Sequence, residues 1–148
     1  MDKNEGRKLA SEPYEAMYTA EITNGYLTLP VECLKDKNSG SIIMSLSWKK
    51  GIVCLYTSES FEEVRHNLGQ LNTIDPGSRM LKRRILGNAE EVNVIDGNKI
   101  HIKSDFLTEL GFDPNQEKIN LEQFTVVILK FSNAIEILSR SLFEEMYG

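Results

Sequence analysis

Arg79, Lys82, Arg83 and Arg84 crowd four of the chain's 17 lysines and arginines into six positions. Guanidinium and ammonium groups at this density suit one chemistry above others, the neutralisation of phosphate: arginine grips it as a planar fork, lysine as a point charge. A second cationic set, Lys99, His101 and Lys103, alternates along an extended segment and so shares one face of a strand. A basic strand edge beside a hairpin turn is how β-ribbon proteins present side chains to a nucleic-acid groove. Each set also has a plainer reading. The first serves equally as a solvated helix face paired with neighbours such as Glu62 and Glu63, the second as the solvent face opposite Ile100 and Ile102.

Other chemistries find little to stand on. There is no glycine-rich phosphate loop, no G-x-S-x-G elbow and no H-E-x-x-H helix. The carboxylates fall in adjacent pairs, Glu62-Glu63, Glu90-Glu91 and Glu144-Glu145, which point in different directions and suit solvated surfaces. His66 sits beside Arg65, an exposed position for a base. Cys33 and Cys54 occupy apolar positions and read as buried free thiols of a reducing compartment. With His66 and His101 they match no standard metal-ligand spacing. The chain therefore reads as a non-enzyme with no catalytic residue, no metal, no cofactor and no small-molecule substrate.

A length of 148 residues suits one domain or two small related halves, and 41% hydrophobic with 26% charged residues is ordinary globular composition. No apolar run approaches the roughly 20 residues that cross a bilayer, and residues 1–13 lack the apolar core of a secretory signal. A cytoplasmic protein without membrane contact is expected. The formal net charge of −5 hides a split. Residues 65–87 sum to +4, which leaves −9 for the remainder. Screening limits the reach of those distant acids to about 10 Å, so the basic segment can still meet phosphate locally.

The first cationic set needs a helix to hold it. Asp75 suits the N-cap, Pro76 the first helical position, and Gly87 a left-handed stop about three turns later. Met80, Leu81 and Ile85 then share an apolar face, while Arg79, Lys82 and Arg83 fall on another. Before it, residues 18–30 read as strand, tight Asn24-Gly25 turn and strand. A helical turn at 31–34, a polar loop at 35–40 and strands at 41–46 and 52–56 follow, the last two joined through Lys49-Lys50-Gly51. A helix over 58–71 is capped by Ser58 or Ser60 and buries Phe61, Val64 and Leu68. Trp48 reads as a packing or interface residue rather than a base-stacking platform.

The same order then recurs. Residues 91–103 read as strand, turn, strand, 104–110 as a short helix and 111–116 as a loop. Strands at 124–130 and 135–138 flank a turn at Ser132-Asn133, and a helix over 139–147 closes the chain. At a shift of 73 residues Leu27 falls on Ile100, Leu29 on Ile102, Cys33 on Phe106 and Leu34 on Leu107. Later the shift widens to about 82, where Ile52-Val-Cys-Leu meets Ile135-Glu-Ile-Leu and Phe61-Glu-Glu meets Phe143-Glu-Glu. Neither half has enough surface to bury both faces of its strands, so the two should close into one barrel-like unit. The organisation expected is a flexible arm (1–17), a first repeat (18–74), a linking basic helix (75–88) and a second repeat (89–148).

The repeat, the length and the central motif together resemble the MraZ family of bacterial proteins. Its D-x-x-x-R motif is matched by Asp75 and Arg79, and its L-G-x-A ending by Leu86-Gly87-Asn88-Ala89. Its hairpin turns are matched by Asn24-Gly25-Tyr26 and Gly97-Asn98-Lys99. The resemblance implies an α+β fold in which tandem hairpin/helix units form an AbrB-like swapped-hairpin barrel with flanking helices. It also implies a ring-shaped homo-oligomer that binds short direct repeats of promoter DNA as a transcriptional regulator of the division and cell-wall gene cluster, in the nucleoid. DNA-binding positions would be Lys99, Lys103, Arg79, Lys82, Arg83 and Arg84, with Asp75, Arg79, Gly25 and Asn98 as motif or interface residues. The alternative is an oligomeric scaffold of the same fold with weak or lost DNA binding. The family's turn arginine is Tyr26 in the first repeat and Lys99 in the second, and Asn98 stands where a turn glycine is expected. Tyrosine offers neither charge nor fork, so base reading by the first repeat is weakened.

Overall fold

The computed structural model describes residues 14–34, 41–71, 74–112 and 125–148. The expected loop at 35–40, most of the arm, the tail of the 111–116 loop and the first residue of the 124–130 strand lie outside the described residues.

In chain order the elements are β1 (Ala16–Thr23), β2 (Tyr26–Thr28), a 3₁₀ turn (Val31–Leu34), β3 (Ser41–Leu46) and β4 (Ile52–Tyr56). Then come α1 (Ser58–Gly69), α2 (Pro76–Leu86), β5 (Glu90–Asn93), β6 (Lys99–His101) and α3 (Ser104–Glu109). β7 (Thr125–Lys130), β8 (Ile135–Ser139) and α4 (Arg140–Tyr147) complete the chain. The strands form one antiparallel sheet in the order β5-β3-β4-β8-β7-β1-β2-β6. A bridge between Ile95 and Lys99 links the continuation of β5 to β6, so the sheet is a nearly closed barrel.

The order is an exchange between the repeats. The first strand of each half pairs with the third strand of the other, β1 with β7 and β5 with β3. The second strands pair with each other, and so do the fourth strands. The register shows the symmetry behind this. Leu27 pairs with Ile100, its own counterpart, and Cys54 pairs with Glu136. Reciprocal hydrogen bonds flank the first pair: Leu29 N–H donates to the Asn98 carbonyl and Ile102 N–H to the Gly25 carbonyl, both at 2.7 Å. A pseudo-two-fold axis therefore enters the barrel at Leu27–Ile100 and leaves at Cys54–Glu136.

Alternation then dictates the core. Leu27, Leu29, Met44, Val53, Leu55, Ile100, Ile128 and Ile137 point inward and are buried in one cluster. The outward side chains of the central strands are covered by helices. Ile52, Val127, Leu129 and Leu138 lie under α4, while Phe61 and Leu68 of α1 meet Ile85 of α2 over Ile43 and Tyr56. Burial of these outward residues explains the near-continuous apolar runs of β4 and β7, which alternation alone would not produce.

Several local expectations need correction. The expected offset of about 82 holds at β4 and β8, but the match of Ile52 to Ile135 within it is off by one: Val53 and Leu55 share the interior with Ile135 and Ile137, whereas Ile52 faces α4. A slip of one residue exchanges the two faces of a strand, so identity of side chains misled where period two decides. Thr57, not Ser58 or Ser60, caps α1, its Oγ1 accepting the Ser60 N–H at 3.0 Å, and α1 ends at Gly69. Gly87 is right-handed, with φ −71°, so its lack of a side chain serves close approach instead: a Cβ would sit 2.5 Å from the Arg83 carbonyl oxygen. Asn98 does not replace the turn glycine. Asp96 (φ 52°) and Gly97 (φ 87°) hold the left-handed positions of Asn24 (φ 55°) and Gly25 (φ 82°), and Asn98 is an extra residue in the second hairpin.

Candidate nucleic-acid interface

The basic segment folds as the capped helix α2, but its four cations have different surroundings. The Asp75 carbonyl accepts the Arg79 N–H at 3.1 Å, and its carboxylate accepts the Ser78 hydroxyl at 3.1 Å rather than a backbone N–H. Arg79 and Arg83 are exposed. Lys82 is half-buried and its Nζ donates to the Leu71 carbonyl at 3.4 Å.

Arg84 points the other way, into the protein. Its Nε donates to the Ser47 carbonyl, and its Nη2 to the Lys49 carbonyl at 3.2 Å and to Glu109 Oε2 at 2.6 Å. The same Glu109 oxygen accepts the Gly51 N–H at 2.7 Å. Burial raises the Glu109 carboxyl, but the Gly51 N–H and the Arg84 guanidinium outweigh it, leaving the group below its ordinary value. Nearby, the buried Ser45 donates its hydroxyl to the Ile85 carbonyl. That carbonyl belongs to the last turn of α2 and has no partner within the helix. The Ser45 hydroxyl within β3 and the Ser47 carbonyl just past its end thus dock α2 onto β3. Met80 departs from the expected apolar stripe: it is 69% exposed, while Ile85 is buried and Leu81 and Leu86 are half-buried.

The second set lies on the two-stranded ribbon at the pseudo-two-fold axis. With Leu27 and Ile100 inward, Tyr26, Thr28, Lys99 and His101 share the outer face, paired as Tyr26 with His101 and Thr28 with Lys99. The Tyr26 and His101 rings lie 5.0 Å apart, tilted by 57°. A Cβ on Gly25 would come within 3.3 Å of His101 Nε2, so the glycine makes room for this stack. Asn98 Nδ2 donates to the Leu29 carbonyl at 3.1 Å, tying the second hairpin to the first. Lys103 lies past the strand end as the N-cap of α3 and pairs with Glu90 at 3.0 Å. The ribbon cations and the α2 cations are held by separate elements, α2 packing chiefly on β3.

Three features were not foreseen from residue types. Glu109 as the partner of Arg84 has no local signal, because 25 positions separate them. The Tyr26–His101 stack depends on which strands are neighbours. Trp48, expected at a packing or interface position, is 65% exposed with the Lys49 ammonium 5.2 Å from its ring centre. It forms the wall of a groove of about 510 Å³ with Met80, Leu81, Arg83 and Asn88.

The buried Cys54 thiol is chemically quiet. Burial, and then the neighbouring Glu136, pushes Cys54 up to about 12, so it stays protonated. Among the described residues no three His, Cys, Asp or Glu side chains come together as metal ligands, and no helix is long and apolar enough to cross a membrane.

No protein-family model matches the chain. Individual curated proteins do. It is 28% identical over 107 residues to a transcriptional regulator MraZ of Halorhodospira halophila, covering 72% of this chain and 64% of that protein. The MraZ regulator of Yersinia enterocolitica is 23% identical over 105 residues, 69% of this chain and 68% of the relative. That of Shewanella sp. strain ANA-3 is 33% identical over 79 residues, 51% of each. The chain thus spans about half to two thirds of the length of the curated relatives it matches.

Proposed function

We propose that this chain is a divergent member of the MraZ family and a DNA-binding transcriptional regulator. It acts as a ring-shaped homo-oligomer on short direct repeats of promoter DNA of the division and cell-wall cluster type, in the cytoplasm and at the nucleoid. It performs no catalysis. The repeats at 18–74 and 89–148 supply the barrel, joined by residues 75–88, and the end of the expected arm belongs to the barrel too, since Ala16 and Met17 already pair with Lys130 and Leu129.

The observation that carries this reading is the similarity to named transcriptional regulators over as much as 72% of the chain. Two surfaces support it in physical terms. Lys99 stands on the outer face of the axial ribbon, with Lys103 just beyond its end. Arg79 and Arg83 are exposed on α2, with Lys82 beside them. Arg84 serves DNA binding indirectly, by fixing α2 against Ser47, Lys49 and Glu109. Asp75 and Gly25 shape the helix start and the first turn, and Asn98 locks the two hairpins together. Many weak contacts repeated around a ring add by avidity on repeated DNA elements.

One observation favours the second reading, an oligomeric scaffold with weak or lost DNA binding. Tyr26 stands where the first turn would present a guanidinium, and its ring is engaged by His101. A mobility-shift titration with the DNA upstream of the chain's own gene separates the two. The regulator reading expects a complex at low salt that weakens steeply as salt rises. Assembled protein that leaves this DNA unshifted at low salt establishes the scaffold reading instead.

A further inference from the structure

The groove beside α2 is assembled from segments far apart in sequence, Trp48 from the β3–β4 turn and Gly77, Met80, Leu81, Arg83, Arg84 and Asn88 from α2 and its end. We propose that it is a binding site for a nucleoside phosphate, the base stacked on Trp48 and the phosphates held by Arg83. The site is separate from the ribbon, shares Arg83 with the exposed face of α2, and does not rest on the chain's binding DNA.

Exposed tryptophan is costly to leave in water, since its ring is among the largest apolar surfaces a side chain offers. Here the indole is 65% exposed and Met80, which lines the same groove, 69% exposed, so the groove is an apolar cleft without an occupant among the described residues. Lys49 sits over the indole at 5.2 Å from the ring centre, a cation–π contact that restrains the ring. A flat aromatic ligand in the groove would meet both indole and thioether, groups that favour π contact.

Charge selects the class of ligand. None of the described residues lining the groove is acidic. Arg83 is exposed and has no ion pair among the described residues, so its fork is open to a phosphate. Arg84 forms the inner wall, its charge held by Glu109. The Asn88 amide donates to the Arg84 carbonyl at 2.8 Å, which orients it and leaves its oxygen to accept from a base edge. The volume, about 510 Å³, falls in the range of sites that hold one small molecule. A duplex is a poor fit, because its bases reach a side chain's face only when unstacked.

Trp48 is the chain's single tryptophan, so its emission reports on the site alone. The test titrates the assembled full-length protein with ATP, GTP and AMP, using inorganic tripolyphosphate and free adenosine as controls. The expected result is saturable quenching by the nucleotides and none by tripolyphosphate, with affinity about tenfold weaker in Arg83→Ala. Calorimetry on Trp48→Ala should show a loss of about tenfold or more, the range of base–aromatic stacking. Arg83→Gln, which keeps the polar stem, guards against a folding artefact and should weaken binding similarly. Absence of saturation, equal binding of tripolyphosphate, an unaltered isotherm in both Arg83 variants, or quenching by a single-stranded oligonucleotide alone would each overturn the assignment. A mobility shift on Trp48→Ala keeps the two functions distinct, because Arg83 also stands on the α2 surface offered to DNA whereas Trp48 lines the groove alone: loss of nucleotide binding with DNA binding retained is the expected result.

Discussion

Arg84 and Glu109 meet at 2.6 Å, joining the helix between the two repeats to the short helix of the second. Their side chains are 24% and 17% exposed, and Glu109 Oε2 also accepts the Gly51 N–H, so three segments converge on one carboxylate. A pair this shielded is held by geometry, and removal of one partner strands the other. Arg84→Ala should therefore destabilise the protein by about 2–4 kcal/mol in urea unfolding. Arg83→Ala, one position along and exposed, should stay within about 0.5 kcal/mol of the parent. Equal losses in the two variants would refute the division of labour along α2.

The same carboxylate sets an acid limb. Glu109 titrates lower in the folded chain than in the unfolded one, so its contribution is complete above the unfolded value of about 4.3 and is lost as pH falls through the folded value. Glu136 works in the opposite sense. Burial raises it, so folding favours its protonated form and stability declines as pH rises from the unfolded value through the folded one. Glu109→Gln should flatten the acid limb at the cost of stability at neutral pH, while Glu136→Gln should stabilise the protein at neutral pH. Unfolding midpoints measured across the acid range distinguish the two signs.

At the pseudo-two-fold axis Leu27 and Ile100 are both fully buried and face each other across the β2–β6 ladder. Each truncation to alanine should cost about 2–5 kcal/mol. Because they line one cavity, the double variant should depart from additivity, by about 0.5–3 kcal/mol. Strict additivity in a double-mutant cycle would show that the hairpins do not support each other.

Gly25 and Gly97 test the two turns. Both hold left-handed backbone, φ 82° and 87°, so alanine is strained at either. Only Gly25 adds a steric demand, its Cβ meeting His101 Nε2 at 3.3 Å, whereas nothing lies within 4 Å of a Cβ at Gly97. Gly97→Ala should cost about 1 kcal/mol. Gly25→Ala should cost more and also displace His101 from Tyr26, which the His101 ring resonances would report.

Much of the architecture was legible in the chain because short-range rules govern it. The Asn24-Gly25 turn and the strict alternation around Ile100 and Ile102 specify hairpins without tertiary help. The 73-residue shift placed Leu27 on Ile100, which the ladder realises as a direct pair. Illegible features were those that depend on strand neighbours or one-residue register. Asp96-Gly97 forms the second turn because one residue was inserted, and matching by residue type moved the turn onto Asn98. At β4 and β8, matching isoleucine to isoleucine crossed the two faces of a strand. Among the candidate site residues, the helix carrying Arg79 to Arg84 was legible in its bounds, set by Asp75-Pro76 and Gly87, though neither Asp75 nor Gly87 caps it as expected, and the inward turn of Arg84 follows from Glu109 and the β3–β4 turn, which no local pattern announces.

Tyr26 and Lys99 hold equivalent places on the axial ribbon, yet offer different chemistry to DNA. Lysine supplies a point charge and tyrosine a neutral ring, whereas arginine at either place could engage guanine through a bidentate fork. Tyr26→Arg should therefore tighten binding to the upstream repeats by about tenfold, within the 1–3 kcal/mol that one such pair contributes. It should do so for repeats containing guanine and not for a shuffled duplex, since phosphate contact alone carries no sequence information. Lys99→Glu should weaken binding to both duplexes and reduce the salt slope. If Tyr26→Arg gained affinity equally on the shuffled duplex, the first hairpin would be contacting phosphate rather than bases, and sequence reading would have to reside elsewhere on the chain.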